Sequence, residues 1–563
     1  MFLQSSDAAA NRSSPLEFAS AAAPTPDSES GLRPLLQGLW FRLRRAELVC
    51  VVVGWAAAAC LRAADLDTIG VTLLRQTDSA LAGNGIRVAQ VEAPTSSSPP
   101  LAFEVNPSSV GQAADVFTYV SDAGTAADYP NSVGGESLHA DGVGRNFFGA
   151  PGGVASQIGH VDNYEAGYFF NNLIAAPSPP VIAARVVNQS FIFVDLSNSD
   201  LAMVEQEYDN YVATNNTLFV SGAGNGGPVC APATCFNGLG VGVYRASSSV
   251  GPTVDGRCKP DLTAPGGATS GSTPYVAGAA AVLLQAAERG DGGTNLAAAG
   301  DARTLKALLL NGAVKPANWT NGPGKPLDAR FGAGILNVFN SWKQLGGGQH
   351  SYIESTANPG GAAHPPGINP NDEPVLAGWN FSSIPESITP VDFLDQVHHY
   401  YFHLPASAGS TYVVTATLVW NRQYGQSAIN DLNLFLYDAA NGRLAACSTS
   451  AVDNVEHIFL ATLPAGRYDL QVLKSALNQV SASETYALAF AFLNLRLSIA
   501  LTNDSAVVSW PLYPAGFNLW SATNPVPPAA WSAVNATVRV LNGQNSVAVP
   551  AGAGNQFFRL APP

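Results

Sequence analysis

Apolar and polar positions along this chain fall into two rhythms. From about residue 65 to 347, short apolar runs alternate with longer helical stretches. Ile86 to Val91, Val181 to Val187 and Thr217 to Val220 are rich in β-branched residues, are bounded by Gly, Asn or Pro, and read as strands. Leu201 to Ala213, Ser270 to Ala287 and Thr304 to Asn311 read as helices. Strands alternating with helices predict an α/β domain around a parallel sheet. From Leu376 to Asn494 strand follows strand: Tyr412 to Trp420, Leu432 to Tyr437, Ile458 to Leu463, Tyr468 to Val472 and Tyr486 to Phe492. Turns such as Asn441-Gly442 and Ala465-Gly466 separate them, and the pattern predicts a β-sandwich. Val507 to Trp510, Val538 to Leu541 and Phe557 to Leu560 predict a second, smaller all-β module. The expected domains are residues 65–347, 376–494 and 495–563, with a Gly/Pro-rich linker at 348–375 and an N-terminal extension at 1–64.

Composition narrows the partners. The 563 residues are 47% hydrophobic and only 12% charged, with a formal net charge of -14 and no long basic run. Nucleic acid is therefore not an expected partner. Arg42, Arg44 and Arg45 precede an apolar run from Leu48 to Leu61 and then Ala63-Ala64, which reads as a secretory signal near residues 41–64. The run is short for a membrane span. About 40 residues ahead of it are long for a signal. A short anchor is the alternative. Cys230 and Cys235 bracket a four-residue loop that can close as a disulfide in an oxidising compartment.

The chemistry gathers in the α/β region. Ala268-Thr269-Ser270-Gly271-Ser272-Thr273-Pro274-Tyr275-Val276-Ala277-Gly278 presents a serine at the start of a small-residue helix, whose positive end favours negative charge nearby. Val220-Ser221-Gly222-Ala223-Gly224-Asn225-Gly226-Gly227 is a strand followed by a Gly-Asn-Gly turn. Lys259-Pro260-Asp261-Leu262-Thr263-Ala264-Pro265-Gly266 and Phe331-Gly332-Ala333-Gly334-Ile335-Leu336-Asn337 complete the set. In this order the four segments resemble the subtilisin-like serine peptidases (subtilases), over about residues 66 to 347.

The resemblance implies a subtilisin-like, parallel-sheet, three-layer peptidase domain, followed by a jelly-roll-like β-sandwich and the small β-module. It places Ser270 at the nucleophile. His139, in Ser137-Leu138-His139-Ala140-Asp141-Gly142-Val143-Gly144, falls at the catalytic histidine, although Ala140, Gly142 and Arg145 depart from the family pattern. Asn225 falls at the oxyanion donor. Glu92, at the end of Ile86-Arg87-Val88-Ala89-Gln90-Val91-Glu92, stands where the family has Asp. It keeps the carboxylate one methylene longer, with Asp115, Asp122 and Asp128 as fallback orienters. Serine-carboxyl peptidases (sedolisins) share the fold and use a Glu, but Asn225 and His139 argue against that relative. Asn188, Gln189 and Ser190 resemble the strand that pairs with extended substrate, with Gly224 and Gly226 alongside. The expected substrate is a protein or peptide, and no cofactor is needed for the chemistry.

Subtilases often bind calcium structurally. Asp431 is a candidate ligand, though a turn-capping role is the better reading of it. His399 and His403 fall on one strand face with Tyr401, read as exposed. Cell-surface or polymer contact is a role open to the C-terminal β-modules. The rival to an enzyme is a degenerate subtilase fold kept for adhesion or binding.

Overall fold

The computed structural model describes residues 18–20, 63–355, 376–385, 396–406, 411–475, 479–502, 505–541, 543–550 and 554–561. The predicted signal lies almost wholly outside them. No helix among the described residues is long and apolar enough to cross a membrane.

The α/β domain is built on β1 (Arg87–Glu92), β2 (Phe117–Ser121), β3 (Gly124–Ala126), β4 (His160–Glu165), β5 (Val186–Gln189), β6 (Leu218–Gly222), β7 (Leu239–Tyr244) and β8 (Leu262–Pro265). They form one sheet in the order β8-β7-β6-β5-β1-β4-β2-β3. Every pairing is parallel except the β2–β3 hairpin. β5 to β8 are buried along nearly their whole length, as parallel strands covered on both faces should be. The chain runs to one side of β1 through β2 and β4 and to the other through β5. The switch point therefore lies at the carboxyl end of β1, where open α/β sheets hold ligands.

The main helices are α1 (Leu138–Phe147), α2 (Asn198–Asn215), α3 (Thr269–Arg289), α4 (Ala302–Asn311) and α5 (Val338–Leu345). Ser137 and Ser197 cap α1 and α2, accepting from Ala140 N and Asp200 N. α3 is nearly all buried, and its small residues allow that: a Cβ on Gly278 would meet the Val154 Cβ at 2.5 Å.

The expected strand Val181 to Val187 is shorter, and only Val186–Gln189 joins the sheet. Ahead of it, Pro179 and Pro180 lack ladder donors. Ile182 N–H donates instead to Tyr211 Oη at 2.9 Å, and the Arg185 guanidinium turns to the carbonyls of Asn216 and Gly300. Beyond β5, the edge segment Phe191–Phe193 pairs antiparallel with Phe18–Ser20 from the N-terminal region.

The next strands are β9 (Ala377–Pro385), β10 (Gln396–Leu404), β11 (Thr411–Trp420), β12 (Leu432–Asp438), β13 (Arg443–Ser448), β14 (Val455–Pro464), β15 (Gly466–Lys474) and β16 (Ser483–Asn494). They form two antiparallel sheets: Ile353–Ser355 with β10-β15-β12-β13, and β9-β16-β11-β14. Tyr400, Phe402, Leu418, Trp420, Leu470 and Phe490 share one apolar core drawn from both. Trp379, Val419, Val455 and Ala487 pack into the core that holds α3 and α4. Polar ties lock the same contact. Thr415 and Thr417 hydroxyls both donate to Asn311 Oδ1, at 2.8 and 2.9 Å, and Arg422 pairs with Asp209 at 2.8 Å.

His403 is exposed, as expected, but His399 is only 3% exposed. Tyr401 stacks on its ring, and Asp469 on the neighbouring strand takes its Nδ1. The last module joins a four-stranded and a three-stranded antiparallel sheet around Val508, Trp510, Leu519, Val547 and Val549.

Candidate active site

Carboxyl ends of parallel strands and amino ends of helices meet at the switch point. Glu92 ends β1 and is fully buried. His139 is the second residue of α1, and Ser270 is the second residue of α3. Helix starts present backbone N–H groups and partial positive charge.

The Glu92 carboxylate meets His139: Nδ1 lies 2.7 Å from Oε2. A carboxylate only accepts, so Nδ1 carries the hydrogen and the neutral ring keeps its lone pair on Nε2. Burial alone would lower the imidazole pKa, but the charge and hydrogen bond of Glu92 outweigh it, and the pKa is raised. His139 Nε2 is itself out of solvent with no hydrogen-bond partner among the described residues. The longer Glu side chain is braced by Gln90, whose Nε2 donates to Glu92 Oε1 at 2.8 Å and to the Ala140 carbonyl at 2.9 Å. One amide thus fastens the carboxylate to the helix that carries the histidine. The fallback carboxylates lie elsewhere: Asp122 accepts from Asn172, and Asp115 and Asp128 are exposed.

Pro274 matters at the serine. It sits four residues after Ser270 and has no N–H, so the Ser270 carbonyl loses its helical donor. Ser190 Oγ fills that place at 3.2 Å and is in turn held by Asn188 Nδ2 at 3.0 Å. The nucleophile candidate is thereby tied to the end of β5. Asn146 on α1 donates to the Gly271 carbonyl at 3.0 Å and fastens the two helices together.

Asn225 follows β6. Its Oδ1 accepts from Thr269 N at 2.9 Å and Thr269 Oγ1 at 3.0 Å, which turns the amide so that its Nδ2 donors face the other way. The turn that places it needs Gly224, whose φ is +105° and where a Cβ would meet Ser249 Oγ at 2.6 Å. Gly226 is fixed by Ser249 Oγ on its carbonyl. Gln189 points to the opposite face of β5 from Ser190, between Ser221 and Tyr208. Only its backbone is on the site side.

The sequence alone assigns no site role to Gln90 or Asn146. Gln90 was detectable: it is the other polar residue, two before Glu92 and on the same face, in an otherwise apolar strand interior. Asn146 had no comparable signal.

Cys230 and Cys235 are unpaired. Cys235 buries its sulfur in the aromatic core beside α2, while Cys230 turns toward Gly224. Among the described residues no group of three or more His, Cys, Asp or Glu is arranged to hold a metal.

The Lys259-Pro260-Asp261 segment is a support. Asp261 is buried beneath β7 and accepts from Lys259 at 2.6 Å, Lys306 at 3.2 Å and Gly240 N. Burial raises its carboxyl, but the two lysines outweigh that, and the pKa is lowered.

Residues 170–334 match the family model described as "Subtilase family". The span contains Ser190, Asn225 and Ser270, whereas Glu92 and His139 precede it. No curated protein matches the chain. Among solved structures, tripeptidyl peptidase 2 (TPP II) aligns at 12% identity and a TM-score of 0.28, over 76% of this chain and 52% of its own. The chain thus spans about half of that structure's length. A GH2 β-galacturonidase from Eisenbergiella tayi aligns at 9% identity and a TM-score of 0.12, covering 30% of this chain and 29% of its own. Likenesses this distant carry no argument. The family match, on a sheet with a serine at one helix start and an asparagine turn beside it, shows a subtilase-family region over residues 170–334.

Proposed function

We propose that the protein is a secreted serine endopeptidase. Ser270 attacks the peptide carbonyl. His139 takes the hydroxyl proton on Nε2 and returns it to the leaving amine. Glu92 holds the ring in the required tautomer and stabilises the imidazolium. Asn225 Nδ2 and the Ser270 N–H receive the oxyanion. The observation that carries this reading is the 2.7 Å contact between the buried Glu92 carboxylate and His139 Nδ1, with His139 Nε2 left as a desolvated acceptor.

An internal peptide fits better than a chain end. The edge beyond Ser190 already accepts an extended strand, Phe18–Ser20, by antiparallel backbone pairing. Backbone pairing of this kind binds peptides with little demand on side chains. Asn188 and Ser190 set the end of that edge, and Gly224 and Gly226 keep the opposite wall low. We read the two larger antiparallel sheets as a β-sandwich and assign them, with the last module, to contact with surface polymer.

The test is digestion of an unfolded protein substrate, with products mapped by mass spectrometry. Internal cleavages absent with Ser270→Ala support the proposal. Products limited to terminal tripeptides would refute the endopeptidase mode. No cleavage by folded protein from neutral to alkaline pH would favour the adhesion reading. N-terminal sequencing of exported protein tests the signal: a start near residue 64 is expected, and retention of residues 1–64 in the cell would contradict it.

A further inference from the structure

A cavity of ≈ 200 Å³ lies where the three domains meet. The α/β domain supplies Asn311 to Lys315, the next domain supplies Val413, Phe459 and Leu493, and the last supplies Tyr513, Phe517 and Leu560. The walls are mainly apolar, with a few polar groups among them, the usual make-up of a small-molecule site.

One of those groups is a buried amine. Lys315 is 5% exposed. Its Nζ donates to the carbonyls of Ala333 at 2.5 Å and Ala313 at 3.3 Å, and lies 5.0 and 5.4 Å from the ring centroids of Trp319 and Phe459. Carbonyls and rings attract a cation, but none carries a charge. Two other buried lysines show the contrast, because Lys259 and Lys306 share the Asp261 carboxylate. Among the described residues Lys315 has no carboxylate within ion-pair distance, and burial pushes its amine down to about 7. An ammonium taken out of water without an anion is costly, and a carboxylate entering the cavity would relieve that cost. On the third domain's side, the Tyr513 hydroxyl is out of solvent; Gln344 stands beside it without a well-formed hydrogen bond. It is a second donor for the same anion.

Volume limits the guest. An apolar cavity of about 150 Å³ accepts benzene. This one has room for a ring of that size and a carboxylate. We propose that the cavity binds a small carboxylic acid with an apolar body, its carboxylate on Lys315 and Tyr513 and its body against Phe459, Leu493 and Phe517. A guest touching all three domains braces the last module against the peptidase domain, and its binding adds to folding stability.

The experiment is calorimetric titration of the full chain with phenylacetate, and with phenylacetamide as its uncharged match. Saturable 1:1 binding of the acid, roughly ten-fold or more tighter than the amide, is expected from a charge-assisted contact. Lys315→Met is expected to reduce the acid to the affinity of the amide. Ala461 is exposed at the rim of the cavity, so Ala461→Leu obstructs entry from the second domain and is expected to weaken binding of both compounds. It keeps the test open if Lys315→Met fails to fold. No saturable binding by folded parent, equal affinity for acid and amide, or full binding by Ala461→Leu would each overturn the proposal.

Discussion

Among the described residues, two histidine–carboxylate contacts are of nearly the same length. His139 meets Glu92 at 2.7 Å in the α/β domain, and His399 meets Asp469 at 2.9 Å in the antiparallel sheets. Both use Nδ1, and in each a glutamine two residues from the carboxylate also holds it: Gln90 for Glu92, Gln471 for Asp469. What differs is the surroundings. His139 starts a helix at the carboxyl edge of a parallel sheet, with a second helix start carrying Ser270 and a turn carrying Asn225 close to that edge. His399 sits mid-strand, stacked against Tyr401, with no helix start beside it among the described residues. On the proposed reading, such a contact serves catalysis only where the fold also supplies a hydroxyl and oriented donors.

That comparison can be broken in order of effect. Ser270→Ala should abolish hydrolysis, a loss of roughly 10⁶ in kcat, read by peptide kinetics. Glu92→Gln should cost roughly 10⁴ in kcat, because a carboxamide can donate as well as accept and no longer dictates the tautomer. Asn225→Ala should cost about 10² to 10³ in kcat with little change in KM.

The pH profile sharpens the same point. His139 must be neutral to accept a proton, and its pKa is raised, burial being outweighed by Glu92. The acidic limb of kcat/KM should therefore lie above the ordinary imidazole value of about 6.5. In Glu92→Gln, where burial acts without the opposing charge, the limb should move to lower pH. Smallest is the control: Asp469→Asn should leave kcat/KM within about two-fold while lowering stability by about 1–3 kcal/mol, measured by denaturant unfolding.

Much of the site was readable because its pieces are local. A serine ahead of Pro274, a Gly-Asn-Gly turn after a strand and a carboxylate closing an apolar strand each advertise themselves within about ten residues. The observed helices at Asn198–Asn215 and Thr269–Arg289 extend the expected ones by only a few residues. Long-range register was not readable. His399 finds Asp469 because β10 and β15 pair Tyr401 opposite Asp469, a choice made across 70 residues. Lys315 faces a cavity that exists only once three domains close on it. Asn146 is an ordinary asparagine in the last turn of α1 until α3 arrives beside it. The strand expected from Val181 joins the sheet only from Val186, because Ile182 N–H goes to Tyr211 Oη, a partner 29 residues away.

The central claim is that Glu92 and His139 together activate Ser270. The most direct measurement is the rate of covalent labelling by a fluorophosphonate across pH, comparing the parent with Ser270→Ala and Glu92→Gln. The account predicts labelling of the parent that rises with deprotonation of His139, none in Ser270→Ala, and slow labelling with a lower-pH limb in Glu92→Gln. Labelling that persists in Ser270→Ala, or is equally fast in Glu92→Gln, would contradict it.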